Sequence, residues 1–540
     1  MARHWDGETS YPTLREALAS RNAEELKHLA KLFGNHKPMR KEECIAAIEK
    51  SLAGDGLQKI WESLDELSRA TVAEVAHGTD DRLHLDRFAA KYGALPRRSY
   101  ADYYHQAKDN PWTFLDVVFT HNMMPRDLKQ RFRTFVPPPE APTIETLDTL
   151  PASVPMSRVW STDKRQELTG QPLDVSETEA TALHDIVAVL RLIDTGKVSV
   201  SPLTQRPTLA AARAIHDILR DGDFVDRELA AKAEDFIRAF AWPLLVQGAG
   251  LARLTGSKLE LTKTGRTALT RPIYETIRQT WKQWLNTKII DEFNRVEAIK
   301  GQNRKGRGGL TAVAARRTAV HNMLAACPAN QWIDSDECFR YCEASGAKLN
   351  VTHDPWNLYI AHAEYGSLGY EGFHNWSMIQ GRYVMALLWE YAATLGLLDI
   401  AYVPPEDARD DYRENWGVDD LYYLSRYDGL KFFRITALGA WCLGIAREYV
   451  QAPRQARPLL KILPNREVVI QDASAFSSAD ALFLARIAVK NGDHTWALDK
   501  LRILDALEAG TSAEEIFDFF DATSHSPIPD NVRRFINDTI

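Results

Sequence analysis

A mainly α protein with short strands, an α+β chain, is what this sequence predicts, and three observations carry the prediction. Most apolar residues recur at helical spacing, as in "ALHDIVAVLRLI" and "SADALFLARIAVK". Strand-like runs are few and short: Lys197–Val200, "SKLEL" at 257–261, "LKFF" at 430–433 and Glu467–Ile470. Several of these runs turn directly into a helix-start signal, a Thr with Gly three residues on, or sit beside a Pro-Asn turn.

Taken in order, residues 1–55 hold "YPTLREALASRNAEELKHLAKLFGNHKPMRKEECIAAIEKSL", two amphipathic helices around a Gly-Asn-His-Lys-Pro break. Leu14, Leu18, Leu26, Leu29 and Leu32 form one stripe, and Ile45, Ile48 and Leu52 another. This is a SAP-like helical hairpin. Residues 56–135 continue as a helical or helix-turn-helix module. Residues 136–178 open on "VPPPEAPTIETLDTLPASVP", which reads as an extended Pro-rich linker and the clearest domain boundary.

Residues 179–275 run helix, short strand, turn, helix, with Pro207 near the first position of the second helix, where its missing N–H does no harm. The module closes on "SKLELTKTGRTAL": alternating Leu259 and Leu261, Thr262 as a helix cap, then Gly265. "LKFFRITALGAWCLG" at 430–444 repeats that plan with Thr436 and Gly439. Such an order is that of a winged helix, so tandem winged-helix modules are expected at 179–275 and 315–455. Between them, residues 276–314 supply a helix and a basic, glycine-rich loop. Residues 456–540 form a small α/β C-terminal module, with a strand at Glu467–Ile470 and a capping box from Ser512 to Glu515.

At 540 residues the chain exceeds a single core, and roughly three to five domains are expected. Net charge is −7, which excludes a wholly basic nucleic-acid coat but leaves room for a local basic face. From Arg253 to Arg317 there are 15 basic and 5 acidic residues, a balance of +10. From Glu467 onward there are 6 basic and 13 acidic, a balance of −7. The five cysteines lack a second ligand pair at zinc spacing and read as small buried hydrophobes. No apolar run of about 18 residues is present, so a cytoplasmic protein without membrane contact is expected.

The stretch "KGQNRKGRGG" at 300–309 bears on nucleotide binding. A phosphate loop needs G-x-x-x-x-G-K-[ST] between a strand and a helix, because backbone N–H groups, Lys and hydroxyl hold different parts of nucleotide and magnesium. Arg307 stands where that Lys belongs, with no Ser or Thr after it. No Walker A or helicase motor motif, G-x-S-x-G elbow or H-E-x-x-H occurs, so no catalytic residue, cofactor or metal is assigned. A cationic loop beside a wing suits phosphate backbone instead, since each guanidinium can take a phosphate bidentately without reading sequence. The candidate nucleic-acid contacts are Lys258, Lys263, Arg266, Lys300, Arg304, Lys305, Arg307, Arg316 and Arg317. Trp356, Tyr359, Trp376, Tyr383, Trp389 and Tyr391 fall near helical spacing and read as core rather than as a base-stacking platform.

"DEFNRVEAIKGQ", "YGSLGY", "RYVMALLWEYAATLGLLDIAY", "WGVDDLYYLSRYDGLKFFRITALGAWCLG" and, most specifically, "LPNREVVI" and "LEAGTSAEEI" carry a family resemblance. Across roughly residues 180–540 the chain resembles bacterial helicase-associated proteins, whose C-terminal module is similar to the non-motor N-terminal region of XPB-type DNA helicases. The resemblance implies engagement of double-stranded or distorted DNA and of partner proteins. Neither motor lobe is present here, so it implies an accessory module, possible partners being a separately encoded ATPase, helicase or nuclease. Two alternatives stand beside it: a winged-helix scaffold that recruits an ATPase without touching DNA, and a nuclease using carboxylates such as Asp419 and Asp420.

Overall fold

The computed structural model describes residues 10–37, 39–98, 111–161, 164–302, 309–362, 366–368, 376–415, 417–451, 459–473, 475–476, 478–524 and 526–539. It is a mixed α+β protein with small sheets, and it divides into two compact units. The first comprises Met1–Ile144 with Cys338–Ala347, and the second comprises the remainder.

The first unit is helical. Its helices are short, most between 6 and 12 residues, and such helices are marginal without tertiary packing. That is why the expected split into modules 1–55 and 56–135 does not occur. Leu14, Leu26, Ile45, Val72, Phe88, Phe119, Leu128 and Val136 all belong to one core. Local caps fix the helix starts: Thr13 accepts from the Glu16 N–H, Asn22 from Glu25, and Asp65 from Ser68. Arg21 is buried and donates to the carbonyls of Asp116 and Phe119, tying the first hairpin to the later helices.

The second unit begins where an extended linker was expected, and the expectation fails there. Ser153–Ser161 and Lys164–Pro172 pair as an antiparallel hairpin. Pro155 lies at the register shift between Val154 and Met156, a place where the ladder tolerates a missing N–H. Proline density alone therefore misread a strand as a spacer. Asp174–Ser176 then forms the edge of a four-stranded antiparallel sheet, followed in order by Leu398–Tyr402, Leu430–Ile435 and Trp332–Asp334.

The sequence echo is a structural repeat. The first copy runs helix Glu179–Asp194, a bridge at Ser199 and Val200, helices Leu209–His216 and Arg238–Gly248, then the hairpin Ala252–Thr255/Lys258–Leu261. The second runs Val313–Ala325, strand Trp332–Asp334, helix Ser335–Ala344, whose residues from Cys338 onward belong to the first unit, a long helix across 377–393, then strands Leu398–Tyr402 and Leu430–Ile435. Each ends on the same device. Thr262 donates its N–H to the Leu251 carbonyl at 2.9 Å, and Thr436 does so to Leu397 at 3.1 Å. Their hydroxyls accept from Gly265 and Gly439, respectively. A Cβ on either glycine would lie 2.0 Å from that same carbonyl oxygen, so only glycine permits the approach.

The two copies are not separate modules as expected; they share their interior. The third helix of each is buried: Arg238 to Val246 in the first, Met378 to Ala393 in the second. The second contains π-helical turns at Ser377–Gly381 and Leu387–Ala393. Arg295 bridges the copies, donating to Glu390 at 2.7 Å and to the carbonyls of Glu234 and Phe236. Glu179 accepts from the Leu438 N–H and the Tyr449 hydroxyl, capping one copy with a residue of the other.

The C-terminal part of this unit has its own core, including Leu460, Val468, Leu484, Ile503, Phe520 and Ile536. Its antiparallel sheet runs Leu460–Ile462, Glu467–Ile470, Thr495–Leu498, Ala488–Lys490. Of the expected capping box, the Ser512 half is present, its hydroxyl accepting from the Glu515 N–H at 3.1 Å, while the Glu515 carboxylate pairs with Arg191. Among the described residues no helix is long and apolar enough to cross a membrane.

Candidate nucleic-acid interface

The hairpin Ala252–Leu261 and the helix Lys263–Ala268 position the first three candidates. Gly256 adopts φ +63° in the tight turn between the strands, and Leu259 and Leu261 face the core, so Lys258 stands at the tip on the exposed face. Thr262 caps the next helix and leaves Lys263 and Arg266 on its outer side. Arg266 is engaged with Asp194 at 3.0 Å. Lys258 and Lys263 are exposed cations with no acidic partner among the described residues. Arg253, on the same hairpin, lies 3.9 Å from Glu260.

Lys300 is exposed on a different element, the short strand Ile299–Lys300, which pairs with Tyr359–Ile360. Its Nζ donates to the Glu297 carbonyl. Arg304, Lys305 and Arg307 lie outside the described residues. Both flanks of that loop are anchored on one segment: a Cβ at Gly301 would meet the Asn357 carbonyl oxygen at 1.9 Å, and the Gly309 carbonyl accepts from the His353 N–H.

Arg316 and Arg317 are corrections. Both are fully buried, at 1% and 0% exposure. Arg317 donates to Glu292 Oε1 at 2.5 Å and to the carbonyls of Trp284, Thr287 and Ile290, with its guanidinium 4.1 Å from the Trp284 ring centre. Arg316 pairs with Asp291 at 2.5 Å and lies over Tyr383. In sequence the pair looked like the end of a cationic run. In the fold it sits four residues into a helix, on the face turned towards acids that lie 25 residues earlier. A guanidinium buried this way satisfies carboxylates and carbonyls and is closed to a phosphate.

The aromatic segment divides as packing requires. Tyr383, Trp389 and Tyr391 are buried, and Tyr391 stacks on Trp284 with centroids 4.5 Å apart. Trp356 is 49% exposed, and Tyr359 and Trp376 are half-buried. All five cysteines are buried, as their spacing suggested. Burial pushes the Cys442 thiol up to about 12, which keeps it protonated and unreactive.

Two other places could carry chemistry. A cleft of about 1180 Å³ lies between the C-terminal sheet module and residues of both repeat copies, among them His184, Arg191, Asp399 and Arg434. Two ion pairs in its lining are Arg191 with Glu515 and Arg434 with Asp399 at 2.8 Å. Asp419 and Asp420 are exposed in the loop before Leu430–Ile435, and among the described residues no three His, Cys, Asp or Glu side chains converge as metal ligands would.

Compared with protein-family models and with curated proteins, the chain finds no match in either.

Proposed function

We propose that this chain is a non-catalytic, DNA-engaging accessory protein of the helicase-associated kind its sequence resembles, holding phosphate backbone on exposed cations. One observation carries the reading: Lys258 and Lys263 stand exposed and without acidic partners among the described residues, on a hairpin and the helix behind it, in a stretch from Arg253 to Arg317 whose charge balance is +10. The element order of both repeats fits tandem winged helices. In each, the third helix, which a helix-turn-helix protein lays into the major groove, is instead buried. DNA engagement therefore falls to the hairpin and to Lys300, groups that position a duplex without reading its bases.

The test is fluorescence anisotropy of the whole chain with duplex and forked DNA across a salt series. Removing one cation that neutralises a phosphate should flatten the slope of log K against log salt by about 0.9. Lys258→Glu/Lys263→Glu is expected to weaken binding equally for unrelated sequences. Unchanged affinity and slope in that variant removes the hairpin from the interface.

The scaffold reading keeps one specific support, the burial of both third helices beside an acidic C-terminal module. Wild-type protein that retains no DNA at low salt, yet co-purifies with an ATPase, would establish it.

A further inference from the structure

The first unit holds a concave surface of about 620 Å³ between the helices Ala23–Lys31 and Lys41–Ser51, lined also by residues 35–37, 39 and 40. Its floor is small and apolar, with Ala30 and Cys44 both about 1% exposed. Its walls are cationic: Lys27, Lys31, Lys37 and Arg40, with His36 between them. From Lys27 to Lys41 the sequence has five Lys or Arg residues and no carboxylate. None of these positions was among the candidate contacts read from the sequence.

Neutralisation of this charge is slight. Lys27 pairs with Glu24 at 2.6 Å, and Lys41 donates to the Ala19 carbonyl. Glu43, the one acid in the lining, accepts from the Arg40 backbone N–H at 2.7 Å, and the Arg40 guanidinium takes no part in that bond. Lys31, Lys37 and Arg40 are exposed and have no ion-pair partner among the described residues. Like charges held together in a concavity repel one another and focus the local field, so such a site gains most from an anion entering it. A flat protein surface or an apolar peptide would leave this charge uncompensated.

We propose that this concavity seats phosphate groups presented by a nucleic-acid strand, as a second backbone site distinct from the Lys258 hairpin. The proposal rests on the DNA-engaging reading above. Phosphate, rather than carboxylate, suits a cup in which three separate cations approach one region, since its oxygens can accept from several donors at once. A strand, rather than a free ion, suits cations spread along two helices and their connection.

The test uses the full chain and compares Lys31→Glu/Lys37→Glu/Arg40→Glu with Lys258→Glu/Lys263→Glu. These side chains are exposed, so circular dichroism and melting should match wild type. With a fluorescent 20-base-pair DNA duplex, the triple variant is expected to bind at least tenfold more weakly, with a salt slope flatter by about 2.7, three phosphates at about 0.9 each. DNA binding that persists unchanged in the triple variant but falls in the hairpin variant overturns this site and leaves the functional reading standing. If wild type binds no DNA, that functional reading falls. The strand site falls with it, and calorimetric heat with inorganic pyrophosphate in wild type that is absent in the triple variant would assign the concavity to a free phosphate instead.

Discussion

Replacing Arg317 by alanine distinguishes a structural arginine from a DNA-contacting one, and the fold gives the size of the effect. The side chain is fully buried and donates to Glu292 and to three backbone carbonyls. Its removal leaves Glu292, itself fully buried, with a single side-chain bond among the described residues, 3.3 Å from the Tyr383 hydroxyl. Breaking a buried pair by deleting one partner costs about 3–5 kcal/mol, chiefly through the stranded charge. The orphaned carbonyls push the loss towards the upper end, since each unsatisfied buried group costs about 1–3 kcal/mol. Against a typical stability of about 5–15 kcal/mol this is a large fraction. With a urea m-value near 3 kcal/mol/M, the midpoint should fall by about 1–1.7 M. The assay is urea denaturation followed by tryptophan fluorescence, because Trp284 lies directly beneath the guanidinium. Arg317→Lys should recover part of the loss by keeping the charge, though not the fork of donors. An unshifted midpoint together with weakened DNA binding would refute the buried assignment and return Arg317 to the interface.

Gly265→Ala and Gly439→Ala should each destabilise by about 1–3 kcal/mol, because the added Cβ meets a backbone carbonyl that cannot move aside. Gly250→Ala meets nothing within 4 Å and should cost only about 1–2 kcal/mol of left-handed backbone strain, so differential melting of the three variants checks the repeat device. Burial would raise the Asp411 carboxyl, but the charge and hydrogen bonds of Arg382 outweigh it and hold the group well below its usual 3.8. A depressed folded pKa contributes stability above the unfolded value and loses it as pH falls through the folded one. The urea midpoint should therefore drop from about pH 4 downward, and this drop should be shallower in Asp411→Asn than in wild type. All five thiols should resist a disulfide reagent at pH 8 in native protein and react in denaturant; rapid native labelling of Cys442 would contradict its burial.

The sequence made the local devices legible. Thr262 and Gly265 echo Thr436 and Gly439 because capping and close approach depend on residues three apart, and both copies fold as that pattern says. The alternating Leu259 and Leu261 and the Ser512 cap are local in the same sense. The hairpin at 153–172 was hidden because proline density reports a missing N–H, while a bulge at Pro155 makes that loss harmless. Arg316 and Arg317 were misplaced for a different reason. Their positive charge is written in the chain, but whether it meets water or an acid depends on Asp291 and Glu292 arriving from 25 residues away.

By itself the sequence determined the class of the protein, its helix caps, its two copies of one plan and its uneven charge. These follow from neighbours within a few residues and from composition. Only the tertiary structure decided which cations are free. It turned the third helix of each repeat inward, fused the expected modules into shared cores, and gathered Lys27, Lys31, Lys37 and Arg40 around one concavity. Burial and charge pairing are sums over distant residues, and no stretch of sequence contains that sum.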